Sequence, residues 1–289
     1  MNSKKLTLLS PAKINLFLYI NNKRADGYHN IQTLFHFIEL FDILTFEVDF
    51  KNESISIHSN FNNIISIENN IIYKAAKILK EKYCIKNGIK ISLTKNIPFG
   101  AGLGGGSSNA ATTLIALNKL WGINAAPNEL KELGSILGAD VNIFLDGRTS
   151  IANGIGNLFN PINIEEKYYV IVKPNTSIST KYIFQHNDLK RDSSVKNKQE
   201  LLNSKYRNDF EPLIIKLYKD IKNTLNTLKT FDSNARLTGS GSCIFASFNS
   251  LKEANIAYNN LTNLKNLNIE NCFIAKGMNT SPLLNFLKA

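Results

Sequence analysis

Between Pro98 and Asn109 the chain reads Pro-Phe-Gly-Ala-Gly-Leu-Gly-Gly-Gly-Ser-Ser-Asn, with five glycines in seven positions. Glycine lets a backbone turn through positive φ and approach a ligand closely. The apolar stretch that follows predicts a helix over Asn109–Leu120, whose unpaired N–H groups and positive dipole end would face that ligand. Phosphate is the natural occupant. Ser107, Ser108 and Asn109 are residue types that cap such a helix, and a flexible linker seldom abuts a capped helix. Gly100, Gly102 and Gly105 also fit the spacing of a dinucleotide fingerprint, a weak pattern alone. Against that oxidoreductase reading, no acidic residue is convincingly placed about 20 positions on, and Pro98 sits where a strand should enter the turn. No Gly-Lys-Ser/Thr follows the run, and the chain carries no His-Arg-Asp or Asp-Phe-Gly segment of a protein kinase.

Three further segments could carry chemistry. In Gly138-Ala139-Asp140-Val141 a carboxylate ends a helix and opens a strand in an apolar context running to Phe144. A buried acid needs a partner or a task, though a helix-ending Asp that caps or forms a salt bridge fits equally well. In Pro11-Ala12-Lys13-Ile14-Asn15-Leu16 alternation puts Lys13 and Asn15 on one face of an apolar strand; the alternative is an edge strand guarded by a charge. Leu237-Thr238-Gly239-Ser240-Gly241-Ser242-Cys243 is a small-residue turn leading into a strand, able to accept close contact with a ligand or another loop.

The elements that must position these groups alternate along the chain. Strands are predicted at Ile14–Ile20, Ile43–Val48, Ile55–His58, Ile89–Leu93, Tyr168–Val172, Cys243–Phe248 and Cys272–Ala275. Helices are predicted at Asn70–Tyr83, Pro127–Leu137, Phe210–Leu228 and Leu251–Leu264. The polar stretch Asn187–Gln199 has no apolar periodicity and reads as a mobile surface loop. The pattern restarts after Gly156, which places a domain boundary there.

With 289 residues and 43% hydrophobic content the chain can build two cores that share a cleft. Its net charge of +11 favours anionic partners in general. The basic residues are scattered and no recognition motif accompanies them, so a nucleic-acid-binding protein is disfavoured. Cys84, Cys243 and Cys272 form no Cys-x-x-Cys pair, which fits a reduced cytoplasmic compartment. No segment reads as a signal peptide or a membrane span.

Taken in order, the Pro-Ala-Lys-x-Asn strand, the glycine loop, Gly-Ala-Asp and the Leu-Thr-Gly-Ser-Gly turn resemble the GHMP small-molecule kinases. Arg24-Ala25-Asp26-Gly27-Tyr28-His29, with Gln32-Thr33-Leu34-Phe35 after it, is similar to the branch that phosphorylates the 2-hydroxyl of 4-diphosphocytidyl-2-C-methyl-D-erythritol, in the non-mevalonate route to isoprenoid precursors. The resemblance runs from about Ser10 to Pro282. It implies an α+β, two-domain GHMP kinase fold: a ribosomal protein S5 domain 2-like N-terminal domain over 1–155 and a ferredoxin-like C-terminal domain over 156–289, with the active site in the cleft. It further implies ATP and Mg²⁺, a small-molecule substrate, no nucleic acid, no membrane, and a monomer or weak homodimer. Asp140 matches the catalytic base and Lys13 the lysine that keeps it ionised. Pro98, Phe99, Gly100, Ala101, Gly102, Leu103, Gly104, Gly105, Gly106, Ser107 and Ser108 match the ATP loop. Tyr28, His29 and Phe184 match cytidine contacts, with Tyr28 and Phe184 sandwiching the base, and Asn15 and Thr180 match further substrate contacts. The metal ligands stay open. A mevalonate- or homoserine-type kinase is the nearest alternative, and Asp26–His29 argues against it. Where the family has proline after Gly-Ala-Asp-Val, this chain has Asn142, which implies lower rigidity beside the base.

Overall fold

The computed structural model describes residues 4–60, 66–264 and 267–287. Strands β1 (Lys5–Lys23) and β2 (His29–Asp49) form a long antiparallel hairpin, turned where Gly27 takes φ +86°. Both strands run well beyond Ile14–Ile20 and Ile43–Val48. In β2 every residue from Gln32 to Ile38 is buried, so its two faces do not alternate in polarity and the period-2 signal vanishes there. β3 (Ile55–Ser59) runs parallel to β4 (Gly88–Thr94), and β4 pairs with the second half of β2.

Helices α1 (Ile71–Lys82), α2 (Gly105–Leu120), α3 (Pro127–Leu137) and α4 (Val141–Asp146) cover this sheet through Leu79, Leu114, Leu117 and Phe144, packed against Phe46 and Ile91. Asn70 caps α1 by accepting the Ile72 N–H at 2.9 Å. The stretch after Asp140 is therefore helix, not strand: six apolar-rich residues too short to show a 3.6 period were misread as an extended run. β5 (Ser150–Asn153) and β6 (Leu158–Pro161) finish this half, β5 on the opposite edge of β2 from β1.

In the second half, β7 (Tyr168–Pro174), β8 (Arg236–Leu237), β9 (Ile244–Phe248) and β10 (Ile269–Met278) make an antiparallel sheet in the order β8-β9-β7-β10. Along β7, Val170 and Val172 point to helices α5 (Thr180–Gln185), α7 (Glu211–Leu217), α8 (Lys219–Lys229) and α9 (Leu251–Thr262), while Tyr169 and Ile171 point to Ile14, Leu16 and Phe17 of β1. A third core thus welds the two halves. They also join at the sheet edge, where Gly277 and Met278 pair with Ile38 and Phe37. Helix α6 (Lys198–Asn203) and the short α10 (Leu284–Leu287) complete the chain.

The single helix expected over Phe210–Leu228 is two, α7 and α8, broken at Tyr218 (φ −124°, ψ 101°). Leu213 and Ile214 are aimed at the same core as Ile221, Leu225 and Leu228, so apolar spacing alone could not register the break. Among the described residues no helix is long and apolar enough to cross a membrane, and Cys84, Cys243 and Cys272 are free thiols.

Candidate active site

One edge of β1 pairs with β2; the other is covered by loops from both halves. The N–H groups of Lys13, Asn15, Leu18 and Ile20 donate to Leu103 O (3.0 Å), Thr238 Oγ1 (2.9 Å), Arg207 O (2.9 Å) and Asp209 Oδ2 (2.7 Å). A register shift between Asn15 and Leu18 marks a bulge in β1 at this point, a device that re-aims side chains beside sites. As alternation predicted, Lys13 and Asn15 share a face, and Lys13 Nζ donates to Asn15 Oδ1 at 2.8 Å. Lys13 is 2% exposed, so it does not guard an edge.

The Lys13 ammonium also donates to Gly102 O at 3.0 Å and lies 3.2 Å from Asp140 Oδ2. Its stem runs beneath Gly104, where a Cβ would stand 3.0 Å from Lys13 Cε and 2.8 Å from Phe144 Cζ. Asp140 stands at the N-terminus of α4 with its side chain 39% exposed. A buried cation and an open carboxylate, far apart in the chain with the lysine 89 residues from Gly102, would be costly to assemble unless used; here the lysine is satisfied on three sides and the carboxylate keeps lone pairs for a ligand. Asn15 is held in turn by donating to Thr33 Oγ1 at 2.8 Å.

The glycine loop is turned carbonyl-inward. Ala101 O accepts Cys243 N–H (3.1 Å), Gly102 O accepts Lys13 Nζ and Thr238 Oγ1 (3.3 Å), and Leu103 O accepts Lys13 N–H. Across a trans peptide the next N–H points the opposite way, so the N–H groups of Gly102, Leu103 and Gly104 are turned away from those partners. The first N–H groups of α2 have no helical acceptor by geometry. Gly102 is required for close packing as well: a Cβ there would come 2.3 Å from Thr238 O. Helix α2 begins at Gly105, with Gly104 (φ +72°) as its cap and no side-chain cap bond, so neither Ser107, Ser108 nor Asn109 caps it. The cause lies behind the loop.

There the buried Asp42 accepts four donors: Lys95 Nζ (2.6 Å), Asn96 N (2.8 Å), Ile97 N (2.8 Å) and Asn109 Nδ2 (2.9 Å). Asn109 also donates to Ser10 Oγ, which bonds Ser108 Oγ at 2.7 Å. Ser108 and Asn109 thus face inward, joining the first turn of α2 to β1 and β2. Burial holds the Lys95 ammonium below its ordinary pKa, with Asp42 pulling the other way. No local motif marks Asp42 or Lys95; the inward polar residues of α2's first turn were their one trace in the sequence.

At the far end of β1, His29 is buried with its ring on Phe184 (centroids 4.8 Å), and Phe184 stands edge-on to Phe210. Arg191 Nε donates to His29 Nε2 at 3.0 Å, while Arg191 Nη1 and Nη2 donate to Leu189 O, Phe184 O and His186 O. With Nε2 an acceptor, the neutral ring carries its proton on Nδ1. Burial first, then the charges of Arg191 and Lys23, keep His29 below the ordinary imidazole pKa. Tyr28 is exposed and has no ring contact with Phe184 among the described residues. Thr180 is brought onto the Leu237–Cys243 turn, its hydroxyl 2.6 Å from Ser240 Oγ. Asn187–Gln199 is not the unfastened loop that its composition suggested: Ser193 N–H reaches Ile20 O, Lys196 exchanges two bonds with Gln32, and Asn197 caps α6.

Asn142, where the resemblance has proline, donates to Ser135 Oγ at 2.8 Å and ties α4 to α3; its Oδ1 is buried without a partner. A side-chain bond here replaces the restraint a proline ring supplies.

The "GHMP kinases N terminal domain" family matches residues 70–148, and "GHMP kinases C terminal" matches 188–266. The chain is 44% identical over 277 residues to the 4-diphosphocytidyl-2-C-methyl-D-erythritol kinase of Pasteurella multocida (strain Pm70), covering 96% of this chain and 91% of that protein. A crystal structure of 4-(cytidine 5'-diphospho)-2C-methyl-D-erythritol kinase superposes with a TM-score of 0.79 at 28% identity, covering 94% of this chain and 99% of that one. A mevalonate kinase of L. major superposes with a TM-score of 0.70 at 12% identity, covering 96% and 98%, a likeness of fold alone.

Proposed function

We infer the reaction from the family to which the chain belongs, the 4-diphosphocytidyl-2-C-methyl-D-erythritol kinases of the GHMP superfamily. It is an ATP-dependent small-molecule kinase of the GHMP fold, and it phosphorylates the 2-hydroxyl of 4-diphosphocytidyl-2-C-methyl-D-erythritol, releasing ADP. The reading rests above all on Lys13 and Asp140, 3.2 Å apart beside a glycine loop turned carbonyl-inward.

In this reading Asp140 accepts the proton of the substrate hydroxyl as its oxygen attacks the γ-phosphate. Lys13, immobilised by Asn15 and Gly102, places positive charge between base and phosphate. The outward N–H groups of the loop and of α2's first turn hold the phosphates, so the protein acts by positioning and charge stabilisation. Of the residues matched to the ATP loop, Gly102, Gly104, Gly105, Gly106 and Ser107 carry this role through their backbone, whereas Ser108 braces the loop from behind. At the other end the base stacks on exposed Tyr28 beside Phe184, and His29 Nδ1–H donates to an acceptor on its edge. Thr180 and Asn15 border the substrate between these ends. Among the described residues no group of three or more His, Cys, Asp or Glu is disposed to hold a metal ion. That suits Mg²⁺ arriving on ATP, held mostly by phosphate and water with Ser107 or Asp140 at its rim; bound there, it neutralises phosphate charge.

We place the boundary between the two domains at residues 155–156, beyond the α2–α4 layer. Free thiols and the absence of a membrane-crossing helix among the described residues support a cytoplasmic enzyme. The test is ADP release from ATP and Mg²⁺ with the cytidyl substrate, mevalonate, homoserine or no acceptor. Release only with the cytidyl substrate is expected; release with another alcohol instead would overturn the specificity.

A further inference from the structure

On the face of β1 turned away from Lys13, a cavity of about 390 Å³ opens where the third core reaches the surface. It is lined by Leu16, Ile164, Leu202, Tyr169, Tyr206 and Arg236, with Lys167 and Lys205 at hand. Its volume is at the lower end of the range for small-molecule sites.

Arg236 is the unusual member. It is 8% exposed, yet no carboxylate lies within ion-pair distance among the described residues. Its Nε donates to Leu16 O at 2.7 Å and its Nη1 to Asn234 O, and the rings of Tyr206 and Phe245 flank it at 5.6 and 5.0 Å. That leaves Nη2 with both of its N–H groups and no acceptor among the described residues. Burial lowers the guanidinium's pKa, with the more distant Asp232 next in effect and acting to raise it. Tyr169, 2% exposed, likewise has a hydroxyl without a hydrogen-bond partner among the described residues. Of the charged groups lining the cavity, Glu165 is the carboxylate, and it is already paired with Lys167 at 3.4 Å. A buried cation with unspent donors, a phenol and apolar side chains in one lining make a place where an anionic head is desolvated against charge while a short hydrocarbon body is buried.

We propose that this cavity is a second ligand site, separate from the phosphate-transfer cleft, that takes a compact organic anion: its phosphate or carboxylate head on Arg236, Tyr169 and Lys205, its apolar body on Leu16, Ile164 and Leu202. Arg236 also fixes the carbonyl of Leu16, the residue after Asn15, so the site lies one peptide from the amide that holds the catalytic lysine.

The test is isothermal titration calorimetry of the full chain, saturated with a non-hydrolysable ATP analogue so that the cleft is filled. The ligands are butyl phosphate, pentanoate, inorganic phosphate and, as the uncharged control, 1-pentanol. Binding of butyl phosphate or pentanoate is expected, their ranking identifying the head group, with inorganic phosphate weaker and pentanol silent. Lys205→Glu and Tyr169→Phe, which leave the buried arginine in place, should weaken binding about tenfold, the scale of one lost charge-assisted or hydroxyl hydrogen bond. Arg236→Lys should abolish it. No heat with any anion, unchanged affinity in Lys205→Glu and Tyr169→Phe, or binding seen only without the ATP analogue would overturn the assignment. Inorganic phosphate binding as tightly as butyl phosphate would overturn its apolar half.

Discussion

Two lysine–aspartate pairs flank the glycine loop, one on each side, and they differ in what surrounds the carboxylate. Asp42 is fully buried and receives four donors, so nothing on it remains to be used. Asp140 meets one ammonium at 3.2 Å and is more than a third exposed. The lysines are alike, both 3% exposed in their side chains. The same ion pair thus serves as a brace where the acid is saturated, and in the proposed reading as reactive machinery where it is left short of partners. A buried acid must be satisfied by the fold, whereas a base must keep a lone pair for the substrate.

The largest effect expected from this contrast is on turnover. Asp140→Asn should lower kcat by about 10²–10⁴, the usual scale of a general base, while leaving the melting temperature nearly unchanged, because the side chain is open to water. Near-normal kcat would break the comparison at its reactive end. Asp42→Ala should do the reverse: chemical denaturation should show a loss of about 3–5 kcal/mol, since the Lys95 ammonium and the Ile97 N–H are left buried without that acceptor. A fully stable Asp42→Ala variant would break it at the structural end.

Acid titration sharpens the contrast by separating a third buried ionisable group from the two pairs. His36 has its Nδ1 on Thr149 Oγ1 and, among the described residues, no partner for Nε2, and burial lowers its pKa from 6.5 to about 4. Below pH 6.5 the unfolded chain takes up a proton that the folded chain refuses until about pH 4. Stability should therefore fall as pH drops through that window, by on the order of 3 kcal/mol in all. Denaturation midpoints measured across it should show a shallower fall in His36→Gln; an identical fall would assign the acid sensitivity to the carboxylates instead. The smallest effect is expected beside the base: Asn142→Pro removes a hydrogen bond but also an unpaired buried oxygen, and should change kcat less than about threefold and stability by under about 1 kcal/mol.

The legible parts of the molecule were those whose signal is local. α1 and α3 announced themselves through apolar spacing and their starts, Asn70 and Pro127, and the glycine loop through composition. Lys13 stood out as a charge inside an apolar strand. The resemblance to a family supplied roles for Asp140, Tyr28, His29, Thr180 and Phe184 that periodicity could not. What was misread or missed depends on distant partners. Val141–Asp146 coils because α3 and Phe37 accept its apolar face, and Gln32–Ile38 is a strand buried on both sides. Arg191 looked like one more charge in a polar stretch until His29, 162 residues away, became its acceptor.

By itself, then, the sequence determined where the backbone could turn tightly, which of the longer strands and helices such as α1 and α3 would form, and that unpaired N–H groups would stand at the start of a helix beside the glycine loop, since each follows from the conformational preferences of neighbouring residues. Only the tertiary structure decided which of two lysine–aspartate pairs would have its carboxylate saturated and which would keep it open to a ligand. Burial and the number of hydrogen bonds reaching a carboxylate are set by groups that the fold brings together from far along the chain, and they leave no local pattern to read.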